Sequence, residues 1–266
     1  MAEDTDSTIR PKIVSKVSYK GVSAVVLEEV YEPAEDTFLL ADCAVAVLSE
    51  LSAAASADSN AVSNESPNVD FSLCSLEIGA GSGFVSAFIM HHFPNLNAMA
   101  VDINPNAVLC SQINGVRIFE SDMFQIFDSF SDSVSDLVSA SDSVSVSAPF
   151  SMDSAVDFQI PSGGFDFLVF NPPYLPTAED EKIDGMLNYA FDGGVSGRDS
   201  IDRFLAEAGG YLTTDGFFLL LISSITGVDE VIDEMEKNGF TAEIVGRTKC
   251  SFEELIVLKG VRGKPL

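Results

Sequence analysis

Hydrophobic and polar positions alternate along this chain with two different periods, and the changes of period mark its elements. From Glu35 to Leu51 apolar residues recur at helical spacing behind an acidic first turn. A strand pattern follows near 71–77, then a glycine turn, a helical stretch near 84–92, a strand at 97–102 and a helix from Pro105 to about Ile113. A short strand is expected at 115–119. The run Phe165-Asp166-Phe167-Leu168-Val169-Phe170 has the apolar density of a parallel strand buried on both faces. A helix near 200–210, a strand near 216–222, a helix near 228–238 and strands near 241–246 and 252–259 complete the chain. Strands alternating with helices predict an α/β fold: a mostly parallel, doubly wound sheet with helices on both faces. The two consecutive C-terminal strands predict an antiparallel member at one end.

Two segments break this rhythm. Residues 52–68 and 128–157 are rich in Ser, Ala, Asp and Asn and carry few large apolar side chains, so both are expected to be mobile, low-complexity surface insertions. In the second, Ser alternates with Val, and an exposed hairpin is the other reading. A length of 266 residues with 46% apolar content fits one catalytic domain over 31–266, preceded by an N-terminal extension at 1–30. No run approaches the ~18 consecutive apolar residues that cross a bilayer, and the first ten residues are acidic and polar, unlike a signal peptide. These features predict no membrane association and a place in the cytoplasm or nucleus. Cys43, Cys74, Cys110 and Cys250 lack the close pairing that metal or redox sites need, so no metal site is expected and they read as small core residues in a reducing compartment. His91 and His92, at the end of the helix after the glycine turn, read as surface residues.

Charge narrows the class of partner. The net charge is −27, and Arg117 is the one Lys or Arg between Lys20 and Lys182. Nucleic-acid affinity rests on basic side chains that neutralise phosphates, so direct nucleic-acid binding is not expected.

Chemistry concentrates at strand ends. Glu77-Ile78-Gly79-Ala80-Gly81-Ser82-Gly83 lies between the first core strand and its helix, where Gly79, Gly81 and Gly83 let backbone turn tightly against a ligand. A dinucleotide fingerprint would need glycine where Phe84 stands, so the spacing fits a nucleoside rather than a pyrophosphate. Nineteen residues after Gly83 the next strand ends in Asp102, placed to accept hydrogen bonds from both ribose hydroxyls or to cap the helix that starts at Pro105. Asp122, beside Met123 after the third strand, is a candidate acceptor for an adenine amino group and equally an ordinary loop acid.

The most specific signal is Asn171-Pro172-Pro173-Tyr174, directly after the apolar strand 165–170. Two prolines stiffen the loop and remove donors, leaving carbonyls as acceptors beside the Asn171 side-chain oxygen. A planar NH₂ group finds two acceptors there, and Tyr174 can pack on its face.

Together with Tyr31-Glu32-Pro33-Ala34-Glu35-Asp36-Thr37-Phe38-Leu39-Leu40, Val101-Asp102-Ile103-Asn104-Pro105 and the loop Gly193-Gly194-Val195-Ser196-Gly197-Arg198, these motifs resemble the HemK family of release-factor glutamine methyltransferases, in its short eukaryotic form. The resemblance covers about residues 30–260 apart from the insertions. It implies a Rossmann-like seven-stranded sheet and S-adenosylmethionine as cofactor. Thr37 would hold the methionine end, Glu77 and Gly79 the middle, Asp102 the ribose, and Asp122 with Met123 the adenine. Asn171 would face both cofactor and substrate; with Pro172 it would bind a glutamine amide, beside Pro173 and Tyr174, and Asn171, Pro172 and Tyr174 would be the catalytic group. The substrate implied is the Gly-Gly-Gln loop of a translation termination factor. A small zinc-binding activator is the implied partner, adding a strand near Val116–Phe119, where Val116, Ile118 and Phe119 offer apolar side chains. The Asn-Pro-Pro-Tyr motif is shared with adenine N6-methyltransferases acting on DNA. That activity, a protein lysine methyltransferase and a catalytically silent cofactor-binding scaffold are the alternatives at this stage.

Overall fold

The computed structural model describes residues 11–59, 73–127, 161, 163–178, 180, 182 and 184–263. In chain order the elements are strands β1 (Ile13–Tyr19) and β2 (Val22–Leu27), helix α1 (Glu35–Ser59), β3 (Cys74–Ile78), α2 (Phe84–His92), β4 (Asn97–Asp102), α3 (Pro105–Ile113), β5 (Ile118–Glu120) and β6 (Phe165–Phe170). They continue with α4 (Asp199–Ala208), β7 (Leu212–Ser223), α5 (Val228–Lys237), β8 (Phe240–Lys249) and β9 (Glu254–Arg262). Seven strands form one sheet in the order β5-β4-β3-β6-β7-β9-β8. β9 runs antiparallel to both β7 and β8, and the other pairings are parallel.

Period-two alternation sorts the strand side chains onto two cores. Leu168, Phe170, Phe218, Leu220 and Ile222 point toward Phe204 and Leu205 of α4 and Val231 and Met235 of α5. Phe167, Val169, Phe217, Leu219 and Leu221 point the other way, toward Leu40, Ala44 and Leu48 of α1 and Phe84 and Phe88 of α2. Every residue of β6 except Asp166 is buried, as its unbroken apolar run requires. Phe167 stacks on Phe217 with ring centroids 5.4 Å apart, and truncating a ring buried in this way to alanine typically costs about 3–5 kcal/mol.

Strand order places the site. From β3 the chain runs outward through β4 to β5, then returns to β6 on the other side of β3. Helices therefore leave β3 and β6 on opposite faces, which opens a crevice at the carboxyl ends of this pair. Ile78 pairs with Phe170, so the residues that follow, Gly79 and Asn171, stand side by side at its floor.

Three expectations need correction. Residues 52–59 of the first proposed insertion belong to α1; the Ala-rich run is strongly helix-forming, and Ser56 returns its hydroxyl to the Ser52 carbonyl at 2.8 Å. The remainder of that segment and all of 128–157 lie outside the described residues. The first thirty residues contain a β1–β2 hairpin seated on the domain: Val22 and Ala24 join the α1–α2 core, and Val26, Leu27 and Val30 pack on Ala107 and Cys110 of α3. β5 is the edge strand, as expected, but Val116 and Ile118 turn inward against Ala80 and Ala100 and are not offered to a partner. α1 is long and apolar enough to span a bilayer by composition, yet its Leu40, Ala41, Ala44 and Leu48 are buried on the sheet. His91 and His92 are exposed, with His92 Nδ1 2.9 Å from the Phe88 carbonyl.

Candidate active site

A cavity of about 530 Å³ opens at the β3–β6 crevice, within the usual size range of cofactor sites. The glycine turn forms its floor. Gly79, Gly81 and Gly83 all adopt positive φ (61°, 56° and 75°), which glycine takes without strain. Gly79 and Gly81 line the cavity, and a Cβ on Gly81 would meet nothing within 4 Å, so its face is open to a ligand. Gly83 does not line it. A Cβ there would stand 2.7 Å from Ser111 Oγ and 2.9 Å from Val116 Cγ2, so this glycine serves close packing against α3, a correction to its reading as a cofactor contact.

Two buried acids flank the turn. Glu77 accepts from the Ser86 backbone N–H at 2.9 Å and, over a very short distance, from the Ser86 hydroxyl. Burial pushes its carboxyl up from 4.5 to about 7, against the opposing pull of the Ser86 bonds. Asp102 accepts from Gly81 N–H through Oδ2 and from Asn104 N–H through Oδ1, both at 2.8 Å. Burial raises its pKa too, opposed by these backbone donors. Each Asp102 oxygen keeps a second lone pair for a diol hydroxyl while the backbone fixes its orientation. The helix cap falls instead to Asn104, whose side chain accepts from Asn106 N–H at 2.9 Å ahead of Pro105.

Asp122 and Met123 line the opposite wall. Asp122 Oδ1 takes a 2.7 Å bond from Arg203 Nη1 of α4, and Oδ2 one of 3.1 Å from Gln125 Nε2. Arg203 was not singled out in the sequence, where it lies 81 residues from its acid.

Asn171, Pro172, Pro173 and Tyr174 face the cavity from the end of β6. Among the described residues, Asn171 Oδ1 is buried without a hydrogen-bond partner, and no N–H donates to the Pro172 carbonyl. Asn171 Nδ2 donates to Asp36 Oδ2 at 3.1 Å, and Asp36 also lines the cavity. The same oxygen accepts from the Tyr31 hydroxyl at 2.9 Å, and Asp36 Oδ1 accepts from Thr37 N–H at 2.5 Å. Burial, then the neighbouring charges of Asp36 and Glu253, push the Tyr174 phenol well above its ordinary value and keep it protonated. Thr37 lines the cavity. Asp36 and Tyr31 are additions; they sit inside the Tyr31–Leu40 motif, where Asp36 reads as an ordinary acid of a helix first turn.

Secondary loops hold these groups. The loop after β6 pairs with the glycine loop: Leu175 N–H donates to the Phe191 carbonyl at 3.2 Å and Gly193 N–H to the Leu175 carbonyl at 3.0 Å. A Cβ on Gly197, at φ 72°, would lie 2.5 Å from the Tyr174 carbonyl. The hairpin is tied down by α3 and its C-cap: Asn114 accepts from Val25 N–H and donates to the Val25 and Ser82 carbonyls, all at 2.9 Å, while Asn104 donates to the Glu29 carbonyl at 2.7 Å. The extension at 1–30 thus delivers Tyr31 and Asp36 to the crevice.

The geometry suits a nucleoside held by the glycine turn and Asp102, with a planar NH₂ group delivered to two oxygen acceptors. Comparison with known proteins meets it there. No protein-family model matches the chain. It is 35% identical over 252 residues, 92% of this chain and 98% of the relative, to a Methanocaldococcus jannaschii protein that bears the provisional name protein N5-glutamine methyltransferase. It is 30% identical to the human methyltransferase HEMK2 over 232 residues, 87% and 89% of the two chains. The fold is similar to that of the E. cuniculi Mtq2–Trm112 complex, described as responsible for methylating the translation termination factor eRF1, with a TM-score of 0.52, 20% identity and coverage of 88% of this chain and 99% of that one. Identity sustained along nearly the whole of both chains places this chain in the family of protein N5-glutamine methyltransferases.

Proposed function

We propose that the protein transfers a methyl group from S-adenosylmethionine to the side-chain amide nitrogen of a glutamine in the Gly-Gly-Gln loop of a translation termination factor. The observation that carries the reading is Asn171, which lines the cavity together with Pro172 and whose Oδ1 has no hydrogen-bond partner among the described residues. S-adenosylmethionine, when bound, supplies an electrophilic methyl group. Asp102 would hold its ribose, Thr37 its methionine end, Glu77 and Gly79 its middle, and Asp122 with Met123 its adenine.

A primary amide nitrogen is a weak nucleophile because its lone pair is delocalised into the carbonyl. A base strong enough to deprotonate it beforehand is not needed here. Asn171 Oδ1 and the Pro172 carbonyl accept the two amide hydrogens and stabilise the positive charge that builds on nitrogen as its new bond to carbon forms. Tyr174, held neutral, packs on the amide face and keeps the nitrogen oriented. One proton then leaves the nitrogen for solvent.

A small zinc-binding partner would add a strand at the β5 edge, engaging backbone rather than the inward-facing Val116 and Ile118; a partner is supported by the E. cuniculi protein of similar fold, which is described in a complex with Trm112. Four free cysteines fit a reducing compartment, the cytoplasm or nucleus. Labelled methyl transfer tests the substrate class: a Gly-Gly-Gln peptide should accept label, while its Lys variant and an adenine-containing duplex should not. Comparable transfer to either of the latter would refute the reading.

A further inference from the structure

We propose that Asp36 is a positioning residue that fixes the Asn171 side chain with its oxygen toward the substrate and its nitrogen away from it. The inference rests on the glutamine-amide reading above and deepens it. The two ends of an asparagine amide are nearly equal in size, so packing alone does not choose between them; hydrogen-bond partners do. A carboxylate only accepts. The end of Asn171 that lies 3.1 Å from Asp36 Oδ2 is therefore the NH₂ group, and Oδ1 is the end left without a partner among the described residues.

Asp36 is itself held from several directions. Its Oδ2 accepts from Tyr31, and its Oδ1 accepts from the Thr37 N–H and hydroxyl, the latter at 3.1 Å. Only 4% of the residue is exposed, so water competes little for these bonds. With Asp36 gone, Asn171 is free to turn its NH₂ group toward the substrate NH₂ group, donor against donor. The negative charge behind the amide also polarises it, making Oδ1 a stronger acceptor for the developing positive charge. An acid in the first turn of α1 also stabilises the helix through its dipole, but such a role would alter melting and leave turnover alone.

A double-mutant cycle on the full chain separates these possibilities. Turnover of a Gly-Gly-Gln peptide and cofactor affinity by calorimetry are measured for Asp36→Ala, Asn171→Ala and the pair. Asp36→Ala should lower kcat by about 30–100-fold with the cofactor Kd changed less than about twofold, and in the Asn171→Ala background it should cost less than about threefold more. Asp36→Asn keeps the shape but can present either end to Asn171; it should lower kcat about tenfold at unchanged Kd, and it carries the test if the alanine variant fails to fold. Losses that multiply in the double mutant, a loss traced to cofactor affinity, or normal kcat in both Asp36 variants beside an impaired Asn171→Ala would overturn the positioning role alone. Normal turnover in Asn171→Ala would instead overturn the glutamine-amide reading, and the role of Asp36 with it.

Discussion

Glu77 places a carboxyl group in the middle of the molecule, where among the described residues only Ser86 donates to it. Its pKa rises from 4.5 to about 7 because burial disfavours the charged form. Folding therefore takes up a proton between those pH values. The stabilisation is fully present below about pH 4.5 and is lost as pH rises through about 7. Glu77→Gln keeps an acceptor for Ser86 and removes the titration. In urea unfolding without cofactor, the variant should gain on the wild type across this window, by up to about 3 kcal/mol above pH 7. Comparing the two proteins cancels the shared repulsion of a chain with net charge −27. A stability difference that does not vary with pH would show that the group stays ionised throughout. Asp102, also buried, is better satisfied, with backbone donors on both oxygens.

Among elements, what the sequence made legible were those whose signal is local. The glycine turn, Asp102 and the loop after β6 each follow a strand whose apolar pattern announces it, and the structure brings them to one crevice. The β1–β2 hairpin was not legible as part of the site: its anchors are Asn104 and Asn114, up to 89 residues away in sequence. Asp36 was hidden for the same reason, since its partner Asn171 lies 135 residues on and an acid in a helix first turn needs no other explanation. Gly83 carried a misleading signal, because a glycine required by packing looks the same in sequence as one required by a ligand. β5 was found as an edge, but period two over three residues cannot reveal which side chains face inward. Its backbone permits a sharper test of the partner. Ala100 N–H donates to the Arg117 carbonyl and Ser121 N–H to the Asp102 carbonyl, so odd positions face β4 and the Glu120 N–H faces away from it. Co-expression with the partner should raise soluble yield and activity. Glu120→Pro should abolish that gain without disturbing β4, whereas Glu120→Ala should retain it. A full gain in the proline variant would place the partner elsewhere.

On the scale of the whole molecule, one sheet with a core on each face fixes where chemistry can occur. The reversal of strand order between β3 and β6 makes a crevice, and both the glycine turn and the acceptor loop empty into it. The acidic surface works against binding a phosphate backbone, so a protein loop rather than a nucleic acid is the partner that fits the mouth. Two small glycines ahead of the glutamine would let its side chain reach Asn171 from outside. Mass spectrometry of a translation termination factor, incubated with the protein, its partner and S-adenosylmethionine, tests this most directly. One added methyl group on the side-chain amide of the Gly-Gly-Gln glutamine is the predicted result; an unmodified glutamine in the presence of bound cofactor, or a methyl group found on lysine instead, would contradict the account.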